Sequence, residues 1–329
     1  MKWLLPFAFV VLVSCANNDT PDPYGGLLST PPYAALTDSI AAQPQQSELY
    51  FRRAVMLNGN QQTAPALADF QKAWSLDKQE KYALGIGNIW LTNRPDSAAR
   101  FVKEALKELP ESLFLKLLLA RACEADKKMD EALQVLDQIL AEYPRQVNAY
   151  ILKAEILQGL DDRTGAAKEL EKAYALLPGN RQLAEELAYE YAETQNPRAL
   201  VLTDSLIKYD SLKQFAAPFY IKGNYFANTG NKKAAMEWFD KTIQRDHRYL
   251  NAYIEKGKLL FNDNETDQAL AVFKLANTIA PAFADAWYWM AKCQERKGEK
   301  EEARLNYKKA FSLDPDFTEA RDAAENIGN

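Results

Sequence analysis

A period of about 34 residues runs through most of this chain and limits its fold more than any other feature. Pro44, Pro110, Pro144, Pro178, Pro281 and Pro315 are separated by 66, 34, 34, 103 and 34 residues: two, one, one, three and one periods. Ala66, Ala98, Ala132, Ala166, Ala199, Ala235, Ala269 and Ala303 keep the same phase, at intervals of 32, 34, 34, 33, 36, 34 and 34. Residues four and seven places after each alanine are mostly apolar, as in Ala132/Leu136/Ile139 and Ala303/Tyr307/Ala310. That spacing puts them on one helical face. A second helical pattern precedes each alanine. Trp287, Met290, Ala291 and Gln294 form one such face, and Gly298 interrupts it before Ala303. Proline then closes the pair, because it lacks an amide donor and disfavours a helical residue before it. Such a period marks two-helix units that bury their apolar faces only against one another. Eight begin near Ser47, Glu80, Leu113, Val147, Arg181, Ala216, Leu250 and Ala284.

Composition narrows the chemistry. The chain has 329 residues, of which 47% are hydrophobic, enough for a large core. Lys and Arg number 40 against 45 Asp and Glu, a net charge of −5, which argues against a nucleic-acid partner held through phosphates. His247 is the one histidine, and the cysteines are Cys15, Cys123 and Cys293. That inventory leaves little for a His-based or Cys-ligated metal site, and no cofactor is expected. His247 falls where other repeats carry proline and reads as an exposed turn residue. Cys123 and Cys293 lie five repeats apart, beyond the roughly 7 Å a disulfide spans, and read as small core residues. Gly85-Ile86-Gly87 is a GxG without a third glycine, and Gly87 fits a packing position. Asp161-Asp162 and Glu301-Glu302 fall in turns or at helix starts, where negative charge is favourable without a catalytic role. With no nucleophile–base pair and no phosphate loop, the chain is not expected to be an enzyme.

These residues resemble the tetratricopeptide repeat (TPR) family. Its pattern of Trp, Leu, Gly and Tyr on the first helix and Ala, Phe, Ala and Pro on the second is matched in type by Trp287, Met290, Ala291, Ala303, Tyr307, Ala310 and Pro315, while Gln294 departs from it. The resemblance implies an all-α, right-handed TPR solenoid of about eight helix-turn-helix repeats over 47–317. Residues 32–46 look like an N-terminal half-repeat, and 318–329 like a C-terminal solvating helix. Pro95 and Pro197 shorten the turns of repeats two and five. The longer connection from Tyr209 to Pro218 is a candidate hinge.

In TPR proteins the first helices line a concave groove. The resemblance maps that groove here onto Phe51, Leu84, Asn88, Phe114, Leu117, Arg121, Ile151, Tyr189, Tyr220, Asn224, Ile254, Lys258, Phe261, Tyr288 and Lys292. The co-chaperone subfamily grips a terminal carboxylate with lysines at the fifth repeat position. No lysine stands there in this chain, so that activity does not carry over. An apolar and aromatic stripe remains, suited to a partner helix or an extended peptide.

The N-terminus reads as an address. Lys2 precedes an apolar run from Trp3 to Val13, too short to span a bilayer, which takes about 20 residues. The run ends Leu12-Val13-Ser14-Cys15, which resembles the lipobox of bacterial lipoproteins. The resemblance implies a signal peptide over 1–14, lipidation of Cys15 and, since Ala16 rather than Asp follows, the outer membrane. Bacteroidota lipoproteins that reach the cell surface tend to carry an acidic cluster after the cysteine. Asn17, Asn18 and Asp19 are only weakly acidic, so a periplasm-facing anchor is favoured over surface exposure. Residues 15–31, with Pro21, Pro23, Gly25 and Gly26, read as a flexible tether. The expectation is a non-catalytic, membrane-anchored adaptor that docks an envelope protein in outer-membrane assembly, secretion or maintenance. The alternative is SusD-like glycan capture.

Overall fold

The computed structural model describes residues 24–327. The expected signal peptide, Cys15 and the tether up to residue 23 lie outside the described residues. Among the described residues there are eighteen α-helices and no strand. The chain forms two compact units, one up to Val135 and one from Leu136 onward, and the division falls inside a helix.

The first unit contains α1 (Ala34–Ala42), α2 (Ser47–Gly59), α3 (Thr63–Leu76), α4 (Glu80–Asn93), α5 (Pro95–Glu108), α6 (Leu113–Ala125) and the start of α7 (Met129–Glu142). Its helices pair as the period requires, α2 with α3 and α4 with α5. Ala66 and Ala98 are fully buried where the two helices of a pair meet. The half-repeat α1 packs on α2. A buried ion pair fastens it: Arg53 donates from Nε and Nη2 to Asp69 at 2.7 and 2.8 Å, and from Nη1 to Thr37 Oγ1 at 2.8 Å. The tether assignment is corrected at its C-terminal end. Leu27–Ser29 forms a 3-10 turn, and Leu27 and Leu28 pack against the cluster of Tyr33, Leu57 and Phe70. Proline and glycine there read as a linker because local composition does not register two leucines with a distant core to rest on.

The second unit continues through α8 (Val147–Gly159), α9 (Arg163–Leu176), α10 (Arg181–Glu193), α11 (Arg198–Tyr209), α12 (Ala217–Asn228), α13 (Lys232–Arg245), α14 (Leu250–Asn262), α15 (Thr266–Ile279), α16 (Ala284–Lys297), α17 (Lys300–Leu313) and the closing helix α18 (Thr318–Asn326). The pair α12–α13 is drawn together at Gly223, where a Cβ would stand 2.4 Å from the Phe239 ring. Gly257 does the same for α14–α15, 2.3 Å from Phe273. No larger residue permits that approach without displacing a buried ring.

Two devices recur with the period. The turn inside most repeats has one residue of positive φ, at Gln61, Lys127, Asp161, Gln195, Gly230, Asn264 and Gly298. The next amide reaches back across the turn, as Lys128 N does to Cys123 O at 2.8 Å, an arrangement that satisfies carbonyls left open at a helix end. The aromatic residue at the fourth place of several repeats donates to the carbonyl six residues earlier. Tyr50 reaches Pro44, Tyr150 reaches Pro144, Tyr253 reaches His247, and Trp287 Nε1 reaches Pro281, at 2.8 to 3.1 Å. His247 thus supplies the carbonyl that proline supplies elsewhere.

The connection between Tyr209 and Pro218 is a capped loop. Asp210 accepts the amides of Gln214 and Phe215, each at 3.0 Å, and Arg181 lies 3.4 Å over the Phe215 ring. Both α10 and α11 pack on α12 across it. The candidate hinge is therefore bridged on both sides, and the boundary between the compact units falls elsewhere, in α7.

Candidate functional site

In the second unit the first helices of successive repeats touch, α10 with α12, α12 with α14 and α14 with α16, whereas no pair of second helices approaches to the same extent. From α10 to α16 the first helices therefore form the inner face. In the first unit α4 touches α6 in the same way.

On the first unit, Phe51 is half-buried with its ring 5.3 Å from Tyr82 and 5.9 Å from Phe70. The Lys81 ammonium lies 4.8 Å over that ring and pairs with Glu48 at 2.5 Å. Leu84 and Leu117 are half-buried, and Asn88 and Arg121 are exposed. Phe114 is 60% exposed, a large apolar side chain not used in packing. Asn88 also lines a recess of about 270 Å³ with Asn58, Thr63, Ile89, Thr92 and Asn93, which carries amides and hydroxyls but no charge.

On the second unit, Ile151 lines a recess of about 280 Å³ with Ala154, Glu155, Gln158, Leu170 and Glu186. Tyr189 is half-buried and bridges two core clusters. Tyr220 and Asn224, expected on the groove wall, are 9% and 6% exposed. The Tyr220 ring lies tilted, 5.0 Å from that of Tyr249, and burial pushes its phenol well above the usual tyrosine range, with Asn224 bonding to it in opposition. Burial likewise pushes Tyr249 up to about 12 and raises Tyr189, both in the field of nearby carboxylates. Ile254 and Phe261, at 4% and 7% exposure, belong to the core cluster shared with Phe273 and Met290. These four are corrected from groove surface to inter-repeat packing. Where first helices touch, an inward position is also a contact position, and a large side chain is consumed there.

Tyr288 is half-buried, with rings of Tyr307 at 5.5 Å and Phe317 at 4.8 Å beside it. Lys258 pairs with Glu255 at 2.7 Å and lies 5.4 Å from the Trp289 ring. Lys292 approaches Glu295 at 3.8 Å.

Three contributors escape a position-by-position reading. Tyr249 precedes its repeat by one residue, and Trp289 stands next to an inward position rather than on it. Glu190 is 1% exposed by side chain. Its Oε1 accepts from Gln158 Nε2 and Arg163 Nη1, both at 3.0 Å, while Oε2 has no partner. Burial raises its pKa and Arg163 opposes the rise. Among the four glutamates of α10, nothing in the sequence singles Glu190 out.

Among the described residues no three His, Cys, Asp or Glu side chains are grouped to hold a metal. Cys123 and Cys293 are buried, and burial pushes both thiols up to about 11, away from the reactive thiolate. No described helix is long and apolar enough to cross a membrane.

Comparison with known proteins agrees with this geometry. Residues 90–156, 250–283 and 284–317 match tetratricopeptide repeat family models. A crystal structure of a tetratricopeptide repeat protein from Parabacteroides merdae superposes with a TM-score of 0.61 at 17% identity, covering 75% of this chain and 98% of that one. The chain is 30% identical over 93 residues to a cell division cycle protein 27 homolog of Caenorhabditis elegans, covering 28% of this chain and 12% of that protein. It is 28% identical over 176 residues to the human protein O-mannosyl-transferase TMTC1, covering 50% of this chain and 20% of that protein. The chain thus spans a fifth or less of these two relatives. Tetratricopeptide repeats are thus matched by sequence at 90–156 and 250–317, and the fold of such a protein is shared over three quarters of the chain.

Proposed function

We propose that this chain is a non-catalytic scaffold whose first-helix faces dock another protein, received as a helix or an extended peptide. The observation that carries the reading is the unspent apolar surface on those faces. Phe114 stands 60% exposed beside half-buried Leu117, and Ile151 and Tyr189 offer partly open apolar area with carboxylates at their edges. Exposed apolar area on a soluble face favours a partner that covers it. The lipobox-like Leu12-Val13-Ser14-Cys15 supports a further part of the proposal, that lipid on Cys15 holds the scaffold at the periplasmic side of an outer membrane and raises its local concentration near envelope partners.

The test is photo-crosslinking in intact cells. A crosslinker at Phe114 or Tyr189 is expected to yield one recurrent protein adduct that a crosslinker at Leu305, 62% exposed on the second helix α17, does not. Equal adducts from Leu305, or none from the inner positions, would contradict the reading. For the anchor, Cys15→Ala is expected to release a folded protein from the membrane fraction. Glycan capture has one observation on its side, the uncharged amide and hydroxyl recess around Asn88, and calorimetry with neutral oligosaccharides separates it from the scaffold.

A further inference from the structure

The irregular connection that interrupts the period builds a basic recess. Between α12, α13 and the 210–216 loop lies a recess of about 420 Å³ lined by Lys213, Phe219, Lys241, Gln244 and Arg245. Three of its five lining residues are cations, in a chain whose net charge is −5. None of the three has a carboxylate within ion-pair distance, whereas the cations on the neighbouring helices do: Lys222 pairs with Asp204, and Lys256 with Asp240. Four nearby carboxylates are engaged, while exposed Glu237 lies one turn before Lys241 on α13. Asp204 and Asp240 hold those lysines, Asp246 accepts the Arg248 amide at 2.9 Å, and Asp210 accepts two amides of the loop. Asp210 also feels the Arg245 charge, so the recess is not wholly unopposed.

The loop backbone that carries Lys213 is fixed, and the other two cations rest on aromatic rings. Lys213 has a φ of 54°, a left-handed conformation uncommon for lysine. The loop fixes it by the bonds from Lys213 N to Asp210 O and from Gln214 N and Phe215 N to the Asp210 carboxylate, all at 3.0 Å. Arg245 lies 4.8 Å from the Phe219 ring and Lys241 3.8 Å from Trp238. Arg245 ends α13, and the helix dipole accounts for a cation there. It does not account for Lys213, which a different segment brings to the same recess.

We propose that this recess binds a phosphate group, free or as the headgroup of a phospholipid. Two ammoniums, one guanidinium fork and one amide supply donors, Lys213 from the loop and the other three from α13, and no acidic side chain lines the space. Arg is suited to bidentate contact with phosphate oxygens, and Lys adds compact charge. The buried Phe219 gives an apolar floor for the organic part of a phosphate ester. The site is separate from the first-helix face, so its failure would leave the scaffold reading standing.

The test uses the full chain carrying Cys15→Ala, so that lipid on the protein contributes nothing. Calorimetry with inorganic phosphate and glycerol phosphate, and flotation with phosphatidylglycerol against phosphatidylcholine vesicles, distinguish the two sources. Saturable binding is expected, weakened about tenfold or more by Lys213→Ala or Lys241→Ala. Lys241→Arg should restore it, with the melting temperature unchanged in each variant. Binding of the small phosphates assigns the free group, and binding of anionic vesicles alone assigns the headgroup. No saturable binding to any probe, or full binding by the Lys213→Ala/Lys241→Ala double variant, would overturn the proposal.

Discussion

The repeats between Leu250 and Leu313 and the junction between Tyr209 and Ala217 join helix to helix by different means. In the regular repeats, fully buried Phe273 fits against Gly257, and the Tyr253 hydroxyl and Trp287 Nε1 each tie an entry turn to the carbonyl six residues earlier. At the junction the spacing is 36 rather than 34, and one carboxylate, Asp210, organises the loop through two amides. The regular repeats are held by packing that every unit repeats. The junction is held by local polar bonds.

The largest effect should come from removing the regular packing. Phe273→Ala is expected to cost about 3–5 kcal/mol in chemical denaturation, because the ring is fully buried and the cavity cannot collapse between two helices. A loss under about 1 kcal/mol would mean that repeats seven and eight do not depend on that fit. Next, Gly257→Ala should cost about 1–3 kcal/mol, with Gly223→Ala alike, since each Cβ would enter a buried ring. Tyr253→Phe should cost about 0.5–1.5 kcal/mol by removing the bond to His247 O.

The smallest effect belongs to the junction and shows in its pH dependence. Burial works to raise the Asp210 carboxyl, but the Gln214 and Phe215 amides, with Arg181 and Arg245, bring it below the usual range. A lowered folded pKa gives stability that is present above the unfolded pKa and is lost as pH falls through the folded one. Wild type should therefore exceed Asp210→Asn in denaturation midpoint at neutral pH, and the difference should shrink on acidification. A difference that grows in acid would contradict the assignment.

Much of the architecture was legible because it depends on identity at fixed intervals. All eight phased alanines, Ala66 to Ala303, are fully buried, and the helix starts fall at or within one residue of the positions the period gives. Depth was not legible. A periodic pattern says which way Tyr220, Ile254 and Phe261 point but not whether the next helix covers them, which depends on its approach. Nor were the turns: Gln61, Lys127 and Asp161 adopt the left-handed conformation in places where sequence reading looks for glycine. The Arg53–Asp69 pair was hidden because its partners lie on two helices whose relative rotation the pattern leaves open.

The central claim is that the first-helix face carries the interaction, and the most direct measurement is the affinity of the crosslinked partner for surface variants. Phe114→Glu, at a side chain already 60% exposed, should weaken partner binding at least about tenfold without shifting the melting temperature. Leu305→Glu on α17 should leave it unchanged. Equal affinity of wild type and Phe114→Glu, or a loss seen only with Leu305→Glu, would place the interaction on another face.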